Sequence, residues 1–425
     1  MNVSIVTLGC KVNQYESEAI LERLLDAGFQ AAGAKEPADV IIINSCTVTA
    51  ASDHKVRQLL RRSRRENPEA AIVLTGCMPQ AFPETAASLT EADIVLGNSR
   101  RADLLPRLLE FLSHHQRIVD IHTYGKGEPF EQMSVSSFHE RTRAFIKIED
   151  GCNRFCSYCI IPYSRGRVRS KPLQELQAEV NRLADAGYRE VVLVGINLSA
   201  YGQELGLHLC DAVECCCAVD GIERVRLGSL EPEQMDKEVV KRLSQQKKLC
   251  PQFHLSLQSG CNATLRRMNR HYSSEEYAAI VENLRASFEN AAITTDIMVG
   301  FAGESEKEFE ESLAFAQTIG FAKAHVFAYS RRPGTRADSM PDQLPNAIKE
   351  ERSRRMIAQT NRTRAAFLKT QVGRTETVLF ESRCENGVYE GYTMNYTPVR
   401  AANGANLCGK LVAVTLTEAF DDYCV

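Results

Sequence analysis

The sequence of 425 residues contains no apolar run near the ~20 residues that cross a bilayer. Its first twenty residues also lack a basic start followed by an apolar segment. We therefore expect a soluble, cytoplasmic protein without a membrane partner. The chain has little excess of either charge, because 51 Lys and Arg face 54 Asp and Glu, a net charge of −3. Any nucleic-acid partner must therefore be bound by local basic patches.

Internal repeats and low-complexity segments are also missing. Hydrophobic residues make up 44% and charged residues 25%, which is the usage of an ordinary globular protein. The length predicts two to three domains of roughly 100 to 200 residues each. The fifteen cysteines are an odd number and cannot all pair. Since a chain without a secretion signal keeps its thiols reduced, metal or redox chemistry is favoured over a disulfide framework.

Residues 1–121 alternate short apolar runs with helical patterns, which predicts a doubly wound parallel sheet in an α/β fold. Cys10, Cys46 and Cys77 each stand just past one of the first three predicted strands. Parallel strands place their carboxyl ends on one edge, where ligands of open α/β sheets bind. The fold is therefore expected to bring these three sulfurs together, although their spacing does not resemble a zinc finger.

The rest of the chain divides into three parts. Residues 122–140 have no apolar period and are interpreted as a linker. Residues 141–371 contain six strand-like runs with helical stretches between them and end in a long basic helix, which predicts a partial (β/α)6 barrel. Residues 372–425 carry short strands broken by turns at Asn386-Gly387 and Asn403-Gly404, as in a small β-barrel of OB-like size.

The strongest motif is Cys152-x3-Cys156-x2-Cys159, directly after the first strand of the predicted barrel. Three thiolates can bind three irons of a cubane and leave the fourth iron open to a substrate or cofactor. A zinc site needs a fourth ligand, and no suitable His or Cys lies close in sequence. A structural zinc knuckle or three unrelated buried cysteines are the alternatives.

This cysteine run, with the aromatic Tyr158, resembles the cluster loop of radical S-adenosylmethionine (SAM) enzymes. Residues 8–18, with Cys46 and Thr75-Gly76-Cys77, resemble the amino-terminal domain of methylthiotransferases, and the carboxyl-terminal part resembles their TRAM domain. The residues Gly9-Cys10-Lys11-Val12-Asn13-Gln14 are similar to the branch of that family acting on threonylcarbamoyl-adenosine at tRNA position 37. Isopentenyl-adenosine in tRNA, a ribosomal-protein side chain, and a non-catalytic RNA-binding redox sensor are the alternatives.

The resemblance implies two [4Fe-4S] clusters, one on Cys10, Cys46 and Cys77 and one on Cys152, Cys156 and Cys159. It implies SAM as a cofactor, with contacts at Gly195, Ser229 and Gln258. It also implies an electron donor such as a flavodoxin-like reductant, and a sulfur source. Replacing an aromatic C–H by C–S–CH3 is too difficult for acid/base side chains, so a cofactor radical must provide the reactivity.

Two basic runs favour an RNA partner. Residues 54–65 hold six Lys or Arg and no acid, among them Arg61, Arg62, Arg64 and Arg65. Residues 331–374 carry eleven Lys or Arg against four acids, with Arg352 and Arg355 on the predicted long helix. Such clusters can follow phosphates, and Tyr389, Tyr392 and Tyr396 are available for stacking on bases. We expect these arginines to contact tRNA.

Overall fold

The computed structural model describes residues 1–33, 36–125, 127–138, 142–384, 387–402 and 406–425. The amino-terminal sheet has six parallel strands in the order β2-β1-β3-β4-β5-β6. Its strands are β1 (Asn2–Thr7), β2 (Gln30–Ala31), β3 (Val40–Ser45), β4 (Ala71–Gly76), β5 (Ile94–Leu96) and β6 (Ile118–Asp120). Its helices are α1 (Lys11–Asp26), α2 (Ala50–Glu66), α3 (Cys77–Ala81), α4 (Pro83–Ala87) and α5 (Leu104–His114).

This sheet confirms the predicted doubly wound architecture. Every residue of β3 and β4 is buried, since helices cover both faces of the sheet. Apolar residues of α1 belong to the main core, and those of α2 to a second cluster on the opposite face. Strand order reverses at β1 and β3, which places a topological switch point between these two strands.

The central part forms a curved parallel sheet around a lumen. Its strands are β7 (Ala144–Lys147), β8 (Glu149–Asp150), β9 (Arg169–Ser170), β10 (Glu190–Val194), β11 (Arg224–Leu227), β12 (Ser229–Leu230), β13 (Gln252–Leu255), β14 (Ala292–Val299) and β15 (Lys323–Ala328). Its helices are α6 (Ile161–Arg165), α7 (Leu173–Asp185), α8 (Leu209–Cys217), α9 (Lys237–Ser244), α10 (Asn262–Arg267), α11 (Ser274–Ser287), α12 (Glu306–Ile319) and α13 (Asn346–Gln371).

Parallel pairing links β7, β10 and β11, and then β12, β13, β14 and β15. Only Gly228 separates β11 from β12, so the two act as one bent strand. Six parallel strand positions therefore follow one another in chain order, which confirms the partial barrel. The short strands β8 and β9 pair antiparallel on either side of the Cys152 loop.

The segment before the barrel is packed against the protein. Residues 127–138 contain neither helix nor strand, yet Met133, Val135 and Phe138 are buried in the main core. The Tyr15 hydroxyl of α1 donates a hydrogen bond to the Met133 carbonyl over 2.8 Å. The segment thus holds the amino-terminal sheet against the barrel.

The carboxyl-terminal strands form an antiparallel sheet in the order β18-β17-β16-β19, curled into a half-barrel. They are β16 (Thr375–Arg383), β17 (Val388–Tyr392), β18 (Pro398–Ala402) and β19 (Leu411–Thr415). Arg224 and Arg226 of β11 donate to the carbonyls of Tyr392 (3.1 Å) and Met394 (2.9 Å), which fixes this sheet on the barrel. The turns assigned to Asn386 and to Asn403-Gly404 lie outside the described residues.

Candidate active site

Three cysteines follow three adjacent strands of the amino-terminal sheet. Cys10 is the residue before α1, Cys46 follows β3, and Cys77 begins α3 directly after β4. Strand β3 pairs in parallel with both β1 and β4. Because parallel strands end on the same edge, the topology places the three cysteines together at the switch point of the sheet.

Glycines allow the backbone to approach closely at this edge. Gly76, at φ +102°, has so little space that a Cβ atom there would lie 2.5 Å from the backbone N and O of Ser45. A Cβ atom on Gly9, at φ +113°, would lie 2.9 Å from the Cβ atom and 3.2 Å from the Sγ atom of Cys46. Only glycine fits these positions, since both need a positive φ and no side chain.

The buried Arg165, at the end of α6, connects this edge to the barrel. Its Nε donates to the Cys77 Sγ over 3.3 Å, and its Nη2 donates to the Asn13 Oδ1 over 2.6 Å. Its Nη1 lies 2.5 Å from Glu16 and 3.3 Å from Asp150. The structure thus pairs Arg165 with two carboxylates and a thiol.

Glu16 is the centre of this buried charge network. Its carboxylate also contacts Lys147 over 2.7 Å and Arg101 over 3.0 Å. Burial alone would raise the pKa of Glu16, but Arg101, Arg165 and Lys147 together lower this pKa to about 2. The carboxylate is therefore charged, and the network ties α1 to strand β7 and to the segment that follows the Cys152 loop.

The second group of cysteines lies in the loop after β8. The Cys152 N–H donates to the Gly166 carbonyl over 3.0 Å, and the Cys159 N–H donates to the Cys156 carbonyl over 2.9 Å, which closes the loop on itself. The Arg270 Nη1 donates to the Cys156 Sγ over 3.2 Å. Arg270 itself is held by a salt bridge to Glu231, just past β12.

Both groups of cysteines suit cluster binding. Each has a buried arginine that donates to a sulfur, and such charge-assisted donors stabilise thiolates. Burial raises the pKa of Cys46 and of Cys152 to about 12, so these thiols carry protons until a metal displaces them. In the described part of the chain, no three His, Cys, Asp or Glu side chains converge on one ion. A cubane does not require this convergence, since each thiolate binds a different iron.

A cavity of about 510 Å³ joins the Cys10 loop to the barrel lumen. Gly195 and Ser229, both at strand ends, line it as expected for cofactor contacts. Gln258 does not line this cavity. It follows β13 at φ +67°, and its N–H donates to the Asp296 carbonyl over 2.8 Å. Pairing with β14 fixes this strained backbone. Of the three predicted cofactor contacts, only Gly195 and Ser229 therefore line the cavity.

Sequence reasoning missed two polar residues beside Gly195. Glu149 is fully buried and accepts a hydrogen bond from the Asn197 N–H over 2.7 Å. The Glu149 Oε1 and the Asn197 Oδ1 have no hydrogen-bond partner among the described residues. A Cβ atom on Gly195 would lie 2.7 Å from the Glu149 Oε2. Unpaired buried oxygens are costly, so this wall fits a polar cofactor such as SAM. Glu149 could have been found from the sequence, because it lies only three residues before Cys152.

Comparison with known proteins agrees with this arrangement. Residues 2–97 match the uncharacterized protein family UPF0004, and residues 146–316 match the radical SAM superfamily. The chain is 36% identical to a threonylcarbamoyladenosine tRNA methylthiotransferase MtaB of Bacillus subtilis, over 98% of this chain and 94% of that protein. The chain belongs to the radical SAM methylthiotransferase family. A [4Fe-4S] cluster and SAM are therefore its cofactors.

Another methylthiotransferase relative is named for a different substrate. The chain is 36% identical to a tRNA-2-methylthio-N(6)-dimethylallyladenosine synthase of Pelotomaculum thermopropionicum, over 98% of this chain and 95% of that protein. Among solved structures, the radical SAM methyltransferase TsrM of Kitasatospora setae has a TM-score of 0.61 at 14% identity, covering 79% of this chain and 74% of that one. This likeness shows the shared fold. Within the described residues, no helix is both long and apolar enough to cross a membrane.

The basic face of this methylthiotransferase lies on α2. Arg61, Arg62 and Arg65 keep 70%, 66% and 76% of their side chains exposed. Arg64 differs, because it pairs with Asp93 over 2.6 Å and donates to the carbonyls of Pro68 and Ala70. Three of the four predicted arginines are thus accessible to a phosphate backbone, whereas Arg64 holds α2 on the sheet.

The two arginines of the second predicted patch that were assigned to RNA are both engaged in ion pairs. Arg352 is 4% exposed and is bound to Glu304 over 2.7 Å, so the assignment of Arg352 as an RNA contact is wrong. Arg355 is 34% exposed and bridges Glu306, Glu351 and Glu310. Glu306 and Glu310 lie on α12 and Glu304 lies just before it, whereas Glu351 lies on α13 itself. Counting charges along α13 therefore missed most of these pairs. The charges of α13 stabilise the contact between two helices.

The three tyrosines of the carboxyl-terminal sheet also differ from expectation. Tyr389 is 3% exposed and packs against Phe380, so it cannot stack on a base. Tyr392 and Tyr396 stack on each other at 4.4 Å, and the Arg143 guanidinium lies over both rings. Tyr396 nevertheless lines the cavity. Tyr392 and Tyr396 join the sheet to the barrel, and Tyr396 forms one end of the cavity.

Proposed function

We propose that this methylthiotransferase converts threonylcarbamoyl-adenosine at position 37 of tRNA to its 2-methylthio derivative. The observation that supports this best is the cavity that Cys10 of the amino-terminal sheet shares with Gly195 and Ser229 of the barrel. Sulfur transfer to a nucleoside needs the sulfur-bearing site and the SAM site to face one substrate, and this space meets that requirement. The Gly9-Cys10-Lys11-Val12-Asn13-Gln14 motif favours the threonylcarbamoyl-adenosine branch.

We assign one [4Fe-4S] cluster to Cys152, Cys156 and Cys159 and an auxiliary one to Cys10, Cys46 and Cys77. SAM bound at the first cluster supplies the radical chemistry that opens an unactivated aromatic C–H bond. Arg270 and Arg165 would hold one thiolate of each group, at Cys156 and Cys77. Gly195 and Ser229, with Glu149 behind Gly195, would position the cofactor on the barrel wall.

We assign the domains according to the two cluster sites. Residues 1–121 carry the auxiliary site, 122–140 connect, 141–371 form the radical SAM core, and 372–425 form the TRAM domain. Arg61, Arg62 and Arg65 would contact tRNA phosphates. A flavodoxin-like electron donor and a separate sulfur source complete the reaction, which takes place in the cytoplasm, where the tRNA substrate is.

The substrate is tested by mass spectrometry of tRNA nucleosides from cells with and without the gene. We expect deletion to abolish 2-methylthio-threonylcarbamoyl-adenosine and to leave its precursor in place, and the wild-type gene to restore it. Loss of the methylthio-isopentenyl nucleoside instead would assign the other substrate. No change in any methylthio nucleoside would contradict the proposal and favour the ribosomal-protein or sensor alternatives.

The number of clusters is tested by iron and sulfide analysis of anaerobically reconstituted protein. Two cubanes predict about eight irons per chain. Replacing Cys10, Cys46 and Cys77 by Ala should leave about four irons and preserve SAM cleavage to 5'-deoxyadenosine. The matched replacement of Cys210, Cys216 and Cys250, which are buried away from both groups, should leave the iron content unchanged. Equal iron content in the two triple variants would contradict the second cluster.

A further inference from the structure

The edge strand β15 presents a cationic and aromatic face to the cavity. Lys323, His325 and Phe327 alternate along β15, so their side chains point to one side of the sheet. All three line the cavity that contains Cys10, Gly195 and Ser229. Gly195 and Ser229 come from β10 and β12, several strands away from β15. The β15 face is thus a separate wall from the one assigned to SAM.

The charges on this wall are not balanced by acids. Asp296 is the one acidic residue in the cavity lining among the described residues, and its carboxylate already contacts the His254 Nε2 over 3.3 Å. Arg226 also lines the cavity but is neutralised by Glu190 behind it, at 2.7 Å. Within the described part of the chain, the Lys323 ammonium makes no hydrogen bond or ion pair. Lys11 also lines the cavity, on the facing wall.

The basic neighbours of Lys323 and His325 make the electrostatic potential around these two side chains positive. Burial lowers the pKa of Lys323, and Arg364 lowers it further, while Asp422 acts in the opposite direction. Asp422 is already paired with Arg364 over 3.2 Å. Burial also lowers the pKa of His325; Asp296 raises this pKa, and Lys323, His254 and Lys11 lower it. An anion placed between these groups would pair with the Lys323 ammonium and raise the pKa of both side chains.

Phe327 adds an aromatic surface to the same wall. Its side chain is 49% exposed, although Phe is usually buried. Its ring lies nearly parallel to that of His325, at an angle of 29°. Exposed rings beside a cationic groove are a common platform for a nucleobase. A base on Phe327 would place a substituent of that base close to His325 and Lys323, two and four residues back along β15.

We propose that Lys323 and His325 form a carboxylate subsite that binds the threonine carboxylate of threonylcarbamoyl-adenosine, with Phe327 under the adenine. This inference rests on the proposed function. It gives the chain a physical means of choosing its substrate, because an isopentenyl group is apolar and gains nothing from an ammonium group and an imidazole donor, whereas the threonylcarbamoyl group ends in an anion. A backbone phosphate is the other anion that this wall can bind, and the test separates the two.

The test uses the reconstituted holoenzyme under anaerobic conditions and four anticodon stem-loops. Position 37 carries adenosine, threonylcarbamoyl-adenosine, its methyl ester, or isopentenyl-adenosine. Equilibrium dissociation constants come from fluorescence anisotropy, and products from mass spectrometry. For the wild type we expect the free carboxylate to bind tighter than the ester. Lys323→Met keeps the alkyl stem and should bind the free acid about 10- to 100-fold more weakly, the range for a hydrogen bond to a charged group.

The control variants and stem-loops distinguish binding of the threonine carboxylate from binding of a backbone phosphate. Lys323→Met should leave binding of the ester, adenosine and isopentenyl stem-loops unchanged, and Lys323→Arg should restore binding of the acid. Lys307→Met, on the exposed side of α12, should change nothing. An equal loss on all four stem-loops would assign Lys323 to a phosphate and overturn the proposal, as would no loss on the acid. His325→Gln is the second variant, with the same pattern expected. Wild-type product on the isopentenyl stem-loop alone would instead refute the proposed function.

Discussion

Arg165 is the residue on which both halves of the active site depend. One guanidinium contacts a cysteine of the amino-terminal group, a side chain of α1, and the acid that precedes the Cys152 loop. Arginine suits this position because its planar fork has five donors and it stays charged when buried. A lysine has one donor group and could not reach three partners on different elements.

Replacing Arg165 by Gln should destabilise the protein and weaken the auxiliary site. The change leaves Glu16 and Asp150 short of one counter-charge, and breaking a buried ion pair costs about 3–5 kcal/mol. Cys77 also loses its donor. We expect a lower midpoint of thermal unfolding and less iron per chain. Arg167→Gln, an exposed neighbour, is the control. A variant at Arg165 that matches this control in both measurements would show that the network is dispensable.

Single residues were the hardest part to predict from the sequence. The six cysteines were visible because their spacing follows the strands. Arg270 and Asn197 gave no such signal, since each lies far along the chain from the loop that it serves. Arg270 is 114 residues from the sulfur to which it donates. Only the folded barrel brings Arg270, which follows α10, to the Cys152 loop, and the spacing along the sequence does not reveal that proximity.

At the scale of elements, the strands were predictable because parallel sheets are covered on both faces. Strands β3, β4 and β10 are buried throughout and mostly apolar, with polar residues only at their ends. Helix α1 begins at Lys11, because the turn at Gly9 allows the chain to enter the helix directly after Cys10. Strand β2 was missed, since its two residues are exposed and carry no apolar pattern.

Helix α2 is the element that should meet tRNA. Reversing Arg61, Arg62 and Arg65 to Glu is expected to weaken tRNA binding and to flatten the dependence of log K on log salt, by about 0.9 for each duplex phosphate that is no longer neutralised. Binding is measured by anisotropy from low to physiological salt. The same reversal at Lys237, Lys241 and Lys247, exposed on and after α9, should have little effect. Equal losses from both triple variants would indicate an unspecific effect of net charge.

For the whole molecule, charge counted along the sequence was a poor guide to charge on the surface. The run from residue 331 to 374 has a net positive count, yet Arg332 is bound to Asp53, and Arg352 to Glu304. Arg332 and Asp53 are 279 residues apart. These pairs join the amino-terminal sheet, the barrel and the long helix. Tertiary structure thus turns part of this basic run into internal ion pairs, while other residues such as Arg354 and Arg362 stay exposed.

The carboxyl-terminal sheet should accordingly behave as part of the core. It accepts hydrogen bonds from Arg224 and Arg226, whose side chains are 2% and 1% exposed, and Leu368 of α13 is buried in its apolar cluster. Truncation after Gln371 would remove these acceptors and expose that apolar side chain. We expect the truncated chain to unfold at a lower temperature, even without RNA.

Thermal unfolding of the full and truncated proteins, with tRNA affinity measured in parallel, distinguishes two roles for this sheet. An attached RNA-binding module would lose affinity on truncation and keep the unfolding midpoint. A sheet that completes the barrel would lose both, because two buried guanidinium groups would be left with Glu190 as their remaining partner. Arg224→Met with Arg226→Met in the full chain should also lower the midpoint, while leaving the surface of the sheet intact. An unchanged midpoint in both variants would contradict the structural role.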